Sequence, residues 1–168
     1  MRLIEEKIVR DVAKWRRDMD RMMGHVVILT NGCFDLLHYG HVGLLQALKL
    51  SGHNGTTLVV GVNGDDSVRQ LKGPTRPLVP EEQRLTVIAA LESVDYAFIF
   101  HEKRCDKMIR LVRPNVWAKG GDWTLDTLDR DERAAAEEVG AEIKLIPFTH
   151  GVSTTAILAR SKAATAGS

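Results

Sequence analysis

Five short runs rich in β-branched and other apolar residues are separated by stretches of helical character. This alternation constrains the fold more than any other feature of the chain. The runs are His25–Thr30, Thr57–Val62, Val94–Phe100, Asn115–Ala118 and Glu142–Phe148. Most are nearly continuously apolar, which suits strands covered on both faces, as in a parallel sheet. Helical patterns fill the spaces, over Tyr39–Leu50, Asp65–Leu71, Pro80 to about Leu91, Lys107–Val112, Asp129–Val139 and Thr154 to about Ala163. Their ends carry physical signals: Pro80 with Glu81 and Glu82 opens one, Pro114 stops another, Gly140 closes a third, and Ser153 suits the cap of the last. The expectation is an α/β protein with a doubly wound parallel five-stranded sheet.

Before the first strand, Ile4, Ile8, Val12, Trp15, Met19 and Met22 recur at helical spacing. They predict a helix over 4–23 that lays an apolar stripe on the domain, with a dimer contact as the sharper reading. A chain of 168 residues fits one domain, read as an N-terminal helical extension (1–24) and a core (25–163), with a frayed tail after Ala163. That length buries a substantial core without disulfide or metal staples.

Charge and cysteine content narrow the function classes. With 23 basic and 22 acidic residues the formal net charge is +1, so no nucleic-acid partner is expected. Cys33 and Cys105 make no disulfide framework, and a reducing, cytoplasmic setting is expected. No apolar run reaches the roughly 20 residues of a membrane helix. Neither a signal peptide nor a lipid anchor is expected, and no membrane partner.

In an open parallel sheet, ligands sit beyond the C-terminal ends of the strands, where the strand order reverses. Four of the five strands are followed there by polar, glycine-bearing segments: 31–41, 63–66, 119–122 and 150–155. In the first, His38 and His41 lie three apart where a helix begins, so their rings share a face with the free N–H groups of its first turn. Gly40 between them lets a ligand approach the backbone. Such a site suits phosphate oxygens. Two other readings compete: a capping or core histidine pair, and a metal site on Cys33, His38 and His41, for which no spacing completes a tetrahedral set. No metal ligand is assigned.

The segment from Thr30 to His41, ending His-Tyr-Gly-His, resembles the signature of the cytidylyltransferase-like nucleotidyltransferases. Ser153, Thr154 and Thr155 resemble that family's second motif. The resemblance spans about residues 7–160 and implies a Rossmann-like fold. Within the family it points to the heptose-1-phosphate adenylyltransferases, found as the second domain of a bifunctional ADP-heptose synthesis enzyme or alone. It rests there on residues 62–67, 71–77, 89–95 and 119–122. The implied reaction moves a nucleoside monophosphate from a nucleoside triphosphate to a phosphate monoester, releasing pyrophosphate. ATP and heptose 1-phosphate are the expected substrates, with Mg2+ accompanying the nucleotide, a separate kinase supplying the acceptor, and a homodimer as the expected assembly.

The resemblance implies roles residue by residue. His38 and His41 act on the α- and β-phosphates, with Lys72 and Arg76, on a flexible loop, neutralising the acceptor or pyrophosphate. Thr30, Asn31, Gly32, Cys33, Phe34 and Gly40 cradle the triphosphate. Asn63, Asp65, Arg84, Lys119, Gly120 and Asp122 line the nucleotide pocket, and Ser153, Thr154 and Thr155 bind the outer phosphates. Asp35 is read as orienting its loop, Cys33 as packed and not nucleophilic, and Trp123 as a base-stacking residue or a lid.

Some positions depart from the heptose pattern: Gly64 for serine, a longer 52–57 turn, Arg104-Cys105 for threonine-proline, and Trp123 for tyrosine. The last favours the glycerol-3-phosphate cytidylyltransferases, a CTP-dependent alternative. Phe148, where that group usually has arginine, speaks against it. A nucleotide-binding module without catalysis is the reading from another class.

Overall fold

A computed structural model describes residues 2–21, 24–52, 55–147 and 154–166. Five strands form one sheet: β1 (Val26–Gly32), β2 (Thr56–Asn63), β3 (Tyr96–Phe100), β4 (Val116–Gly120) and β5 (Glu142–Ile146), in the order β3-β2-β1-β4-β5. Every neighbouring pair is parallel. This is the doubly wound, Rossmann-like α/β architecture expected from the alternation. The order reverses between β1 and β4, so the crevice beyond their C-terminal ends is the topological switch point.

Side chains along β1 alternate between two cores, because successive strand residues point to opposite faces. On one face α2 (Val12–Asp20), α6 (Asp106–Val112) and α7 (Arg130–Glu138) bring Trp15, Met19, Ile109, Val112, Ala135 and Ala136 against Val27, Leu29, Phe98 and Trp117. On the other, α3 (Tyr39–Leu50) and α5 (Glu81–Ala89) bring Leu45, Leu48, Leu85 and Ile88 against Ile28, Leu58, Val60 and Ala118. Each large aliphatic side chain buried this way contributes roughly 1.5–3 kcal/mol. Between these lie α4 (Asp65–Lys72) and, at the C-terminal end, α8 (Thr154–Ala166). Among the described residues no helix is long and apolar enough to cross a membrane.

The single helix expected over 4–23 is corrected to two. Ahead of α2 a short α1 (Ile4–Lys7) ends, and Ile8 pairs in parallel with Ala97 on edge strand β3. The Val9 N–H donates to the Ala97 carbonyl at 2.8 Å. An edge strand leaves backbone groups unpaired, and two β-branched residues suit an extended stretch that caps them. Asp11 then starts α2 afresh, its carboxylate accepting from the Lys14 N–H at 2.8 Å. Met22, the last residue of the expected stripe, lies outside the described residues.

Element ends moved in ways that matter for the site. β1 continues through Asn31 and Gly32, which pair with Gly61 and Val62 of β2. β3 begins at Tyr96 because the Asp95 carboxylate turns back to accept from the Leu58 N–H at 2.7 Å. β5 is described to Ile146, and the expected strand end at Phe148 lies outside the described residues.

Candidate active site

The switch point gathers the residues that end β1 and β4. Thr30 lies opposite Ala118, so Asn31 and Gly32 on one strand approach Lys119 and Gly120 on the other. Phe34 follows with φ +47°, a left-handed conformation unusual for an aromatic residue. Its buried ring packs 5.2 Å from that of His41 and closes over Gly32, where a Cβ would stand 3.2 Å from it. The strained turn thus sets the base on which His41 rests.

His38 is the N-cap of α3 and His41 lies in its first turn. Their rings stack at 3.7 Å and 22°. The Nδ1 atoms of both are buried with no hydrogen-bond partner among the described residues, and so is the Thr30 hydroxyl. Buried polar atoms normally find partners, so the two orphaned imidazole nitrogens at the start of α3 mark a place where a ligand completes the bonding; the Trp15 indole N–H is orphaned too, in the other core. Burial lowers the pKa of both imidazoles. That of His41 falls to about 4, with His38 adding to the effect and a backbone hydrogen bond to Leu36 opposing it. Both shifts favour the uncharged imidazole near neutral pH. Bound phosphate oxygens would raise both pKa values. Gly40 is buried between them. Beside it lies a notch of about 270 Å³, lined by Tyr39, Gly40, Gly43, Leu44, Ala47, Ile146 and Pro147.

Arg84, expected from the sequence to reach the nucleotide, is turned into the protein. The side chain is almost fully buried, and four of its five N–H donors are taken internally. Nε donates to the Val79 carbonyl at 2.8 Å, one terminal nitrogen to the Cys33 and Asn63 carbonyls, and the other to the Asp65 carboxylate at 2.7 Å. Arg84 therefore ties the turn after β1, the end of β2 and the segment before α5 into one frame. Asn63 and Asp65 share that frame. The Asn63 side chain donates to the Ser67 hydroxyl at 2.8 Å, and the Asp65 N–H donates to Glu81 at 2.6 Å.

The flexible loop expected to carry Lys72 and Arg76 is likewise tied down. Buried Asp35 accepts from the Arg76 guanidinium and from the N–H groups of Leu78 (2.7 Å) and Val79 (3.0 Å). Asp35, read from the sequence as orienting its own loop, here anchors the segment of Arg76, Leu78 and Val79. Lys72 ends α4, exposed and unpaired among the described residues. Its charge, with that of Arg84, partly offsets the burial that raises the Cys33 thiol pKa, so the thiol stays protonated at neutral pH.

Across the crevice, Lys119 pairs with the buried carboxylate of Glu132 at 2.9 Å and contacts the Asn31 side-chain Oδ1 at 3.4 Å. Its ammonium lies 5.3 Å from the centroid of the Trp117 ring and 5.9 Å from that of exposed Trp123. Gly120 has a packing role, since a Cβ there would come within 2.4 Å of Leu44 on α3. Asp122 is exposed past the end of β4. Thr154 and Thr155 open α8, whereas Ser153, the loop before it and Phe148 lie outside the described residues.

Sequence reasoning missed Glu132. It lies in a charged stretch, Arg130 to Arg133, yet it shares helical spacing with Ala135, Ala136 and Val139, all of which join the core. A lone acid in an apolar stripe was the available signal.

Comparison with known proteins agrees with this geometry. A family model described as cytidylyltransferase-like matches residues 29–160. Bifunctional protein HldE of Syntrophotalea carbinolica is 42% identical over 143 residues, covering 85% of this chain and 28% of that protein. Bifunctional protein HldE of Bradyrhizobium sp. is 43% identical over 168 residues, covering 96% of this chain and 32% of that protein. The chain thus spans under a third of the length of these relatives. A crystal structure of the lipopolysaccharide core biosynthesis protein from Thermoplasma volcanium superimposes with a TM-score of 0.59 at 30% identity, covering 75% of this chain and 98% of that one. With the five-stranded parallel sheet, the stacked histidines at its switch point and the match over 29–160, the chain belongs to the cytidylyltransferase-like family of nucleotidyltransferases.

Proposed function

We propose that this protein transfers AMP from ATP to heptose 1-phosphate, forming ADP-heptose and pyrophosphate. One observation carries the transfer reading: two stacked imidazoles with unpartnered Nδ1 atoms at the N-terminus of α3, beside the switch point. The substrates rest on the heptose-type segments of the sequence and on the HldE relatives. An acceptor phosphate oxygen attacks the α-phosphorus, and the bond from that phosphorus to the bridging oxygen breaks. Pyrophosphate leaves with the electron pair. The acceptor is already ionised, so no general base is needed. The protein's task is to hold two anions in line and to stabilise charge moving onto the leaving group.

In this reading His38 and His41 hydrogen-bond the α- and β-phosphates, and Lys72 neutralises the acceptor or the pyrophosphate. The backbone of the turn after Thr30 and the start of α8 hold the remaining phosphates. Gly40 and Gly43 give the notch beside α3 a flat floor for the base. Magnesium enters with the nucleotide, held mainly by its phosphates.

The test is pyrophosphate release with magnesium, across ATP, CTP, GTP and UTP, each paired with heptose 1-phosphate or glycerol 3-phosphate. Turnover confined to ATP with heptose 1-phosphate supports the proposal. Turnover with CTP and glycerol 3-phosphate moves the chain to the cytidylyltransferase alternative that Trp123 favours. Nucleotide binding without turnover across these and other phosphate acceptors would leave a non-catalytic module.

A further inference from the structure

We infer that Glu132, which no motif of the family reading includes, is a positioning residue for the nucleotide: it holds the Lys119 ammonium at the β1–β4 crevice. The inference rests on Lys119 lining the nucleotide pocket, as proposed above. Glu132 is buried on α7, and both of its carboxylate oxygens are used. One accepts from the Cys105 N–H at 2.9 Å and lies 3.4 Å from the Asn31 side-chain Nδ2. The other lies 2.9 Å from the Lys119 ammonium. The Asn31 side-chain Oδ1 faces the same ammonium and also accepts from the Trp117 indole at 3.1 Å. Lys119 thus has one protein hydrogen bond beside its ion pair and keeps donor capacity for a ligand, in a side chain only 12% exposed.

The node has an outer brace. Arg104 pairs with Asp129, the N-cap of α7, at 2.7 Å and with Asp131, while the next residue, Cys105, supplies its N–H to Glu132. The dipeptide that departs from the heptose pattern therefore docks the start of α6 on the start of α7. That contact fixes the carboxylate that fixes Lys119.

A buried ion pair has a property that makes the role testable. Removing one partner strands the other charge, whereas replacing both with apolar or neutral groups is often neutral or stabilising. The probes are MgATP and MgCTP, titrated against the intrinsic tryptophan fluorescence, to which Trp117 and Trp123 at the crevice contribute beside Trp15, with melting temperatures measured in parallel. Glu132→Gln keeps the Cys105 hydrogen bond and loses the ion pair. It should weaken nucleotide binding about tenfold and lower the melting temperature. Lys119→Met should weaken binding equally. The double variant should regain the melting temperature but not the affinity, because Lys119 is the group that touches the nucleotide.

Recovery of both in the double variant would reduce Glu132 to a structural residue and overturn the inference. Unchanged affinity in Glu132→Gln would do the same. Binding by wild type without pyrophosphate release would defeat the transfer proposal while leaving this cycle readable. No binding by wild type would defeat both.

Discussion

Arg84→Met separates a frame from a ligand. The change keeps length and apolar stem but removes every donor. The carbonyls of Cys33, Asn63 and Val79 lose the guanidinium, and Asp65 loses its cation. A buried acceptor left unsatisfied costs about 1–3 kcal/mol. These carbonyls end loops that can admit some water, so about 1 kcal/mol each is the fitting figure. Asp65 is 28% exposed at its side chain, and its lost ion pair adds about 1 kcal/mol more. The sum is about 4 kcal/mol, and at roughly 2–4 °C per kcal/mol for a chain of this size the melting temperature should fall by roughly 8–16 °C. Three loops slacken together, so kcat/KM for pyrophosphate release, measured well below the variant's melting point, should drop about 100-fold. Calorimetry and the release assay on one preparation decide the matter. Lost turnover with a melting point within about 2 °C of wild type would make Arg84 a substrate ligand after all, and refute the frame.

His41→Ala should lower turnover by about 100-fold or more, measured well below a melting temperature that falls as the stacking on His38 and Phe34 is lost; near-normal turnover in the release assay would end the assignment. The same residue predicts a pH dependence of stability. Its folded pKa of about 4 lies below the ordinary histidine value of 6.5, so the unfolded chain binds more protons between those values. The stability it contributes is fully present above pH 6.5 and is lost as pH falls toward 4, by roughly 2–3 kcal/mol. Urea unfolding at pH 7.5 and 4.5 should show that difference in wild type and a smaller one in His41→Asn; equal slopes would refute it. Asp35→Asn frees Arg76 but keeps an acceptor for Leu78 and Val79. Initial-rate kinetics should show the acceptor KM rising about tenfold with the nucleotide KM within twofold, because the loop following Lys72 loses its anchor. A rise confined to the nucleotide KM would place the loop over the wrong substrate.

The sheet was legible because a strand buried on both faces must be apolar along its length, and runs such as Thr57–Val62 have no other economical place to go. The histidine pair was legible because three residues on a helix bring two rings onto one face whatever the rest of the chain does. The N-terminal segment was misread for a related reason. Ile4, Ile8, Val12 and Trp15 fit a helical period, yet the unpaired edge of β3 draws Ile8 and Val9 into extended pairing. No local pattern contains that edge.

Charged residues divide along the same line. Arg84, Arg76 and Lys119 read in sequence as cations available to an anion, because a sequence shows each charge but not its partner. In the fold their partners are Asp65, Asp35 and Glu132, which lie 19, 41 and 13 positions away. Sequence alone determined the layered α/β architecture and the family, and pointed to the candidate site at the strand ends, since all three follow from short-range periodicity and local motifs. Tertiary structure alone decided which cations face the crevice and which brace it. That choice depends on desolvation and pairing between segments remote in the chain, and a buried charge keeps its place only where another element brings the opposite one.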